Sequence, residues 1–565
     1  MPASIPHLRS TGNCQQLIVH DVPFLMLGGE VQKSQFSSAS YMKEVWPKLE
    51  AANLNTVFGS VAWEQIEPVE DSFNFEELDR IILDARQHGL HLVLLWFGSF
   101  KNALSTYTPA WVKQNPARFL RAELGASDGK NKVADALSIF GAEAVKSDAK
   151  AFAALMRHIK EIDEAHSTVV MVQVENEVGL LGDSRDRSEL AQQAWSHQSQ
   201  AQLISIVQQD WPSLNEQIKS NLSGLQSIDP DALRSWDDIP GDKTQIGELF
   251  MAYHFAQYVE TVAKAGRHEY PLPLYTNVWQ NYGDDTKDNN VPNVVAGDDK
   301  PGDYPSGGGV TNVLDIWKLF APSLALIGPD IFLNDYEASC AAYRHRDQGL
   351  LIPEQRRDEY GARRIWPAYG THKAIGVAPF AIDTLSLEEN PFARHYALLS
   401  KVSKQVVEAL AGLDRSFGFF FDELHQDGSD PSPPQYKTFG QWDLTVERAH
   451  VFGKPSAGSG MIIHTTKNEF LLVGWGFQVS WRSTDPRACF NGLLKFAEKE
   501  VAEDGELKTL RLLNGDETRS GKVAIMPSPD PDYGGFPVAI TIPARTGITL
   551  VEPYALFEDE LEYRN

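Results

Sequence analysis

Cysteine is nearly absent: three residues, Cys14, Cys340 and Cys489, are scattered over 565 positions. That count and spacing exclude a disulfide framework and a CxxC metal site, and predict buried free thiols in a reducing compartment. Positive charge is also short. Lys and Arg total 51 against 76 Asp and Glu, for a formal net charge of −25, so neither nucleic acid nor an anionic membrane gains from contact with this surface. No run of 18 apolar residues occurs, and the opening MPASIPHLRSTGNCQQ has no apolar core of signal-peptide length. A soluble cytoplasmic chain without nucleic-acid or membrane partners is therefore expected. Several chemistry-bearing motifs are missing too. There is no HExxH, no second histidine at ligand spacing around His345, and no GK[ST] after the glycines of 306–310. Zinc-hydrolase and phosphate-loop readings fall with them, no serine-hydrolase elbow is expected, and neither metal nor organic cofactor is expected.

What is present is ample material for a large core: 42% hydrophobic residues and 10% aromatic ones, in a chain long enough for two or three domains. Eight short, nearly continuous apolar runs read as strands at 24–29, 55–61, 90–97, 168–174, 272–279, 329–335, 349–354 and 374–382. Strands buried on both faces of a parallel sheet have this texture. Amphipathic helices separate them. In FEELDRIILDARQHGL, Leu78, Ile81, Ile82 and Ala85 follow the spacing of one buried face, and Leu398, Val402, Val406 and Leu410 do so after the eighth run. Eight β/α units predict an α/β fold, a (β/α)8 TIM barrel over residues 1–412. The rival doubly wound sheet lacks the GxGxxG expected after its first strand. A polar stretch at about 179–247 and a glycine-rich one at 283–309 predict long insertions on the C-terminal face, where they would wall a cleft. From 413 to 565 short alternating strands replace helical periodicity and predict an all-β, sandwich-like domain.

Catalytic side chains of such barrels project from the C-terminal ends of strands. The fourth run, VVMVQVENEVG, ends there in Glu175, Asn176 and Glu177, and the seventh, GLLIPEQRR, in Glu354 beside Arg356 and Arg357. Carboxylates taken from water without partners cost several kcal/mol, so packing alone does not place them there. Two such groups roughly 5 Å apart across the mouth have the separation required for retaining glycoside hydrolysis, one as nucleophile and one as acid/base. A neighbouring arginine would keep Glu354 ionised, and Asn176 would meet a sugar hydroxyl. Trp63, Glu67, Trp96, Asn277, Trp279 and Tyr336, with Asn334, Asp335 and Glu337, fall near other strand ends and are candidate oligosaccharide contacts. A non-catalytic carbohydrate-binding protein would need the aromatics but not both glutamates.

QVENEVG resembles the QVENEYG of glycoside hydrolase family 35, the β-galactosidases. WEQIEP with SFNF resembles that family's WNxHEP segment, and LLIPE resembles the strand-seven nucleophile of the wider clan of barrel hydrolases. The resemblance spans about residues 20–410. It implies Glu177 as acid/base, Glu354 as nucleophile, Asn176 and Glu67 as galactose ligands, Glu175 behind them, and Tyr336 orienting the nucleophile. The shorter chain with one β domain is similar to a bacterial and fungal branch that trims galactose from xyloglucan oligosaccharides, which implies a retaining exo-β-galactosidase. A β-glucosidase or a transglycosylase on the same scaffold shares the mechanism. The sequence departs from the family at Glu64 and Ile66, and reads GGEVQKS where GSIHYSR is usual.

Overall fold

The computed structural model describes residues 4–558 except 13, 127–128, 198–199, 282–298, 347, 452–453, 456, 527 and 529–545. Eight parallel strands form the barrel: β1 Met26–Glu30, β2 Thr56–Ala62, β3 His91–Phe97, β4 Val169–Val174, β5 Leu274–Trp279, β6 Leu326–Asp330, β7 Leu350–Gln355 and β8 Ala374–Pro379. Their order is β6-β5-β4-β3-β2-β1-β8-β7, and a parallel bridge between Ile331 and Gln355 returns β7 to β6. Almost every residue of these strands is buried, which is why the sequence shows runs instead of alternation. Gly59 in β2 exists for packing. A Cβ there would meet the Phe36 ring at 2.3 Å, well inside any real contact.

The sixth strand corrects the sequence reading. It lies at Leu326–Asp330 and not at 329–335. Pro329, expected at the start of the strand, falls next to its end. The segment after it turns, and Asp335 caps the helix Tyr336–Tyr343 by accepting from the Ala338 N–H at 2.8 Å.

Between β2 and β3 the helix Glu76–Gln87 buries Leu78, Ile81, Ile82 and Ala85 as expected, with Glu76, Glu77 and Asp79 on its first turn where the helix dipole favours them. The 179–247 insertion is a folded layer. It carries helices Glu189–His197, Ala201–Gln209 and Glu216–Asn221, and buries Trp195, Leu203, Ile204, Val207, Ile218, Leu225 and Trp236. Trp195 and Trp236 stack at 6.0 Å, and the Arg185 guanidinium covers Trp195 at 4.1 Å. Of the 283–309 stretch, residues 283–298 lie outside the described residues. The remainder bridges back to the insertion through Leu180 and Ser306.

The helix Lys243–Glu269 that follows the insertion buries Glu248, which accepts from Asn312 Nδ2 at 3.2 Å. Burial pushes this carboxyl up to about 7. A raised carboxyl binds its proton more tightly in the folded chain, so its contribution to stability is complete below its ordinary value of 4.5 and is lost as pH rises to about 7. The loss is about 3 kcal/mol. Glu248→Gln should flatten the decline of the unfolding midpoint between pH 4.5 and 7, measured by thermal unfolding of both forms.

The two compact units do not lie on either side of a single cut. One comprises residues 1–9, 17–355 and 376–386, the other 10–16, 356–375 and 387–565. The second contains two antiparallel sheets. One has six strands, in the order Ser416–Phe421, Gly458–Thr466, Glu469–Trp475, Ile548–Phe557, Ala488–Val501, Leu507–Leu512. The other has four, Gln435–Phe439, Trp442–Arg448, Phe477–Ser483 and Val523–Met526. Phe419, Ile462, Phe470 and Val551 from the first sheet and Trp442, Leu444, Val479 and Met526 from the second share one apolar core. This is the sandwich expected from alternation. The helices Pro391–Lys401 and Ser403–Leu410, read as one stripe in the sequence, are separate and break at Val402.

Cys14 and Cys340 are buried, whereas Cys489 is exposed, beside an irregular register step in its strand. No helix among the described residues is long and apolar enough to cross a membrane.

Candidate active site

The strand ends of the barrel deliver a ring of acids: Glu30 from β1, Glu177 after β4, Asp330 from β6 and Glu354 from β7, all buried. Two lysines answer them. Lys33 Nζ lies 2.9 Å from Glu354 Oε1 and also binds Glu30. Lys101 Nζ lies 3.5 Å from Glu177 Oε2. Both ammoniums rest over the ring of Phe97, at 5.7 and 5.4 Å from its centroid, and Lys33 also sits 4.6 Å from that of Phe380. Asn277 on β5 completes the ring. Its Oδ1 accepts from the Glu177 N–H at 2.9 Å and its Nδ2 donates to Asp330 Oδ2 at 2.7 Å.

The backbone that carries the acids is bent. Glu175 and Glu177 have φ of 60° and 46°, the left-handed region, which costs a non-glycine residue roughly 1–3 kcal/mol. Such a cost persists only where the surroundings hold it. Here the Glu177 carbonyl accepts from the Ala103 N–H at 3.0 Å. Ala103 belongs to a tight turn, Lys101–Leu104, in which Asn102 and Ala103 are also left-handed and the end residues exchange backbone bonds. The same turn therefore props the Glu177 backbone and supplies Lys101. Glu175 points away from Glu177 and accepts from the Phe100 N–H at 2.7 Å. Burial and the neighbouring Asp148 carboxyl raise it well above the usual carboxylate range.

Burial acts on all four acids, and their neighbours sort them. Burial and the charge of Glu354 push Glu30 up to about 8. Burial and the charges of Glu354 and Glu177 hold Asp330 well above its ordinary value. Burial likewise raises Glu177, against the pull of Lys101. Glu354 alone ends below its ordinary value: burial would raise it, but Lys33 and Lys101 outweigh that. The resting ring thus holds one firmly ionised carboxylate, Glu354, and one raised acid, Glu177, each against its own lysine. A nucleophile and a proton donor need these opposite states.

The sequence-derived residues separate into two sets. Glu177, Glu354 and Asn277 come together. Asn176 adjoins them with its side-chain amide buried and without a partner among the described residues. Trp279, half-buried at the end of β5, likewise has no partner for its indole N–H among the described residues. The other residues are placed differently. Trp63 is fully buried with its indole donating to Glu67 at 2.8 Å, and Glu67 spends its second oxygen on the Asp71 N–H at 2.8 Å. Trp96 is fully buried and donates to Asp148, on the helix Ala142–Asp163, at 2.9 Å. Alternation along β3 explains this: Phe97 faces the ring, so Trp96 faces the helices. Each of these side chains is buried against a protein partner. The Tyr336 hydroxyl bonds to Gln355, the neighbour of the residue it was expected to orient. The cations that bear most on Glu354 are Lys33 and Lys101, and Arg356 pairs with Asp358.

Sequence reasoning missed Glu30, Lys33, Lys101 and Asp330. GGEVQKS held a signal, a carboxylate closing β1 with a lysine three residues on. Asp330 was hidden by the misplaced sixth strand.

A parallel barrel with acids converging from its strand ends can carry many chemistries, and the comparisons with known proteins bear on which. Residues 35–221 match the model of glycoside hydrolase family 42, described as beta-galactosidase, which agrees with the resemblance to β-galactosidases but not with family 35 in particular. Residues 392–525 match a domain of unknown function, DUF5597. Among solved structures, the β-galactosidase of the haloarchaeon Halorubrum lacusprofundi is 15% identical with a TM-score of 0.44, over 69% of this chain and 59% of its own. That of Bacillus circulans sp. alkalophilus is 12% identical with a TM-score of 0.43, over 68% of this chain and 57% of its own. The β-amylase catalytic domain of Paenibacillus polymyxa is 10% identical with a TM-score of 0.42, over 65% and 94%. The chain thus spans under two thirds of the β-galactosidases it resembles, and likeness at this level bears on fold only. No curated protein matches the sequence.

Proposed function

We propose that the protein is a retaining glycoside hydrolase that removes terminal β-D-galactosyl residues from oligosaccharides. One observation carries this reading: Glu354 is held ionised and Glu177 raised within a single lysine-bridged ring. In the first step a Glu354 oxygen bonds to the anomeric carbon as the bond from that carbon to the leaving oxygen breaks, and the Glu177 proton passes to that oxygen. In the second, water attacks the anomeric carbon, its proton returns to Glu177, and Glu354 departs as carboxylate. The buried amide of Asn176, next to Glu177 and without a partner among the described residues, suits a hydroxyl of the bound sugar. The family 42 match favours galactose over glucose at that position.

Hydrolysis of a panel of aryl β-glycosides (galactoside, glucoside, fucoside, arabinoside), with product anomers followed by NMR, tests the proposal. The β-anomer should appear first, and the galactoside should have the highest kcat/KM. First appearance of the α-anomer would exclude the double displacement, and a preferred glucoside would exclude the sugar.

A further inference from the structure

Building on the proposed function, we propose that Lys33 and Lys101 are two positioning residues that serve opposite halves of the reaction. Lys33 holds Glu354 as an anion before the glycosyl bond forms. Lys101 receives the anion that Glu177 becomes once it has given up its proton. Charge balance requires such a pair. When Glu354 becomes an ester its negative charge leaves Lys33, and the same event leaves a carboxylate on Glu177 beside Lys101. The total is unchanged, but the charge crosses the cleft. In water the solvent would reorganise around it. In a buried ring, fixed counter-charges must already be waiting at both ends.

The resting geometry has the asymmetry this division demands. Lys33 lies 2.9 Å from Glu354, the charge present at rest, whereas Lys101 stands 3.5 Å from Glu177, whose charge has yet to appear. The two ammoniums are held over one ring, Phe97, and arrive on different segments, one after β1 and one in the turn that props Glu177. Burial and the charge of Lys33 lower Lys101, while the charges of Glu177 and Glu354 support it. Each end of the cleft is thus tuned by the other. The remaining titratable groups that face the pair are Glu30, Asp330 and Tyr275. Burial raises Asp330 and Tyr275 well above their ordinary values. Glu30, pushed up to about 8, titrates within the range of interest.

The test is the pH profile of kcat/KM for an aryl β-galactoside, using the full-length protein. Removal of a cation from beside a carboxylate raises that carboxylate by about 1–3 pH units. Lys33→Met should move the acidic limb, which reports Glu354, upward by about one unit or more and narrow the optimum. Lys101→Met should instead move the alkaline limb, which reports Glu177, upward. It is read again in a Glu30→Gln background so that Glu30 does not contribute. Lys33→Arg and Lys101→Arg should restore the respective limbs. Because each lysine also reaches the other carboxylate more weakly, uniformly lower rates with both limbs in place, or a limb moved equally by both substitutions, would overturn the division of labour. If Lys33→Met fails to fold, Lys33→Gln carries the same expectation. The carboxylate variants keep the two levels apart. If Glu354→Ala stays active the proposed function itself fails, whereas loss of activity in Glu354→Ala with unmoved limbs in the lysine variants defeats only the present inference.

Discussion

Glu354→Ala is expected to lose turnover on the order of 10⁵-fold, as removal of a nucleophile does elsewhere, and to lose it equally for good and poor leaving groups. Without the carboxylate no glycosyl-enzyme forms, and ease of departure cannot compensate for a missing attacking atom. The vacancy also sets a stereochemical outcome. Azide added to the alanine variant should occupy the empty position and give the α-glycosyl azide, the inverted product, from an activated aryl β-galactoside. Quantification of residual kcat and of the azide anomer checks both parts. Near-normal activity would falsify the assignment of Glu354.

Glu177 should behave differently. Protonation matters most when the departing oxygen is a poor leaving group. Glu177→Gln should therefore cost about 10²–10⁴-fold for alkyl or oligosaccharide aglycones and much less in the first step for dinitrophenyl galactoside. With the activated substrate the second step becomes limiting, because no base remains to take the proton from water. Azide needs no base, so in the smaller Glu177→Ala it should raise turnover and yield the β-glycosyl azide. The two variants thus give opposite azide anomers. A flat dependence on leaving group, or the same anomer from both, would show that the roles are misassigned.

Barrel, sandwich and the carboxylate pair were legible because each rests on local chemistry. Doubly buried strands must read as apolar runs, and a run such as Val169–Val174 that ends in Glu175, Asn176 and Glu177 declares its polar end. Direction was harder to read. Trp96 and Phe97 are adjacent, and only the closed sheet decides that the phenyl ring faces the acids while the indole faces Asp148. Trp63 and Glu67 looked like a sugar-binding pair because they suit each other chemically, and in the fold they satisfy each other directly. The lysines were hidden for a further reason. Lysine is normally a surface residue, and nothing local to GGEVQKS or to Phe100–Leu104 shows that its ammonium will be enclosed by acids from other strand ends. Asp330 was missed because its strand was expected to end at 335 and ends at 330.

The ring of Phe97 beneath both ammoniums has a consequence of its own. The carboxylates that steady those cations can each gain or lose a proton, Glu30 at about 8. A benzene face cannot. Its quadrupole attracts cations by electrostatics alone, so it offers the lysines a floor that neither acid nor base can remove. A carboxylate there would have attracted them more strongly, at the expense of one more protonation state for the cleft to manage. An unionisable aromatic lets the acids above it exchange protons while their counterions stay in place.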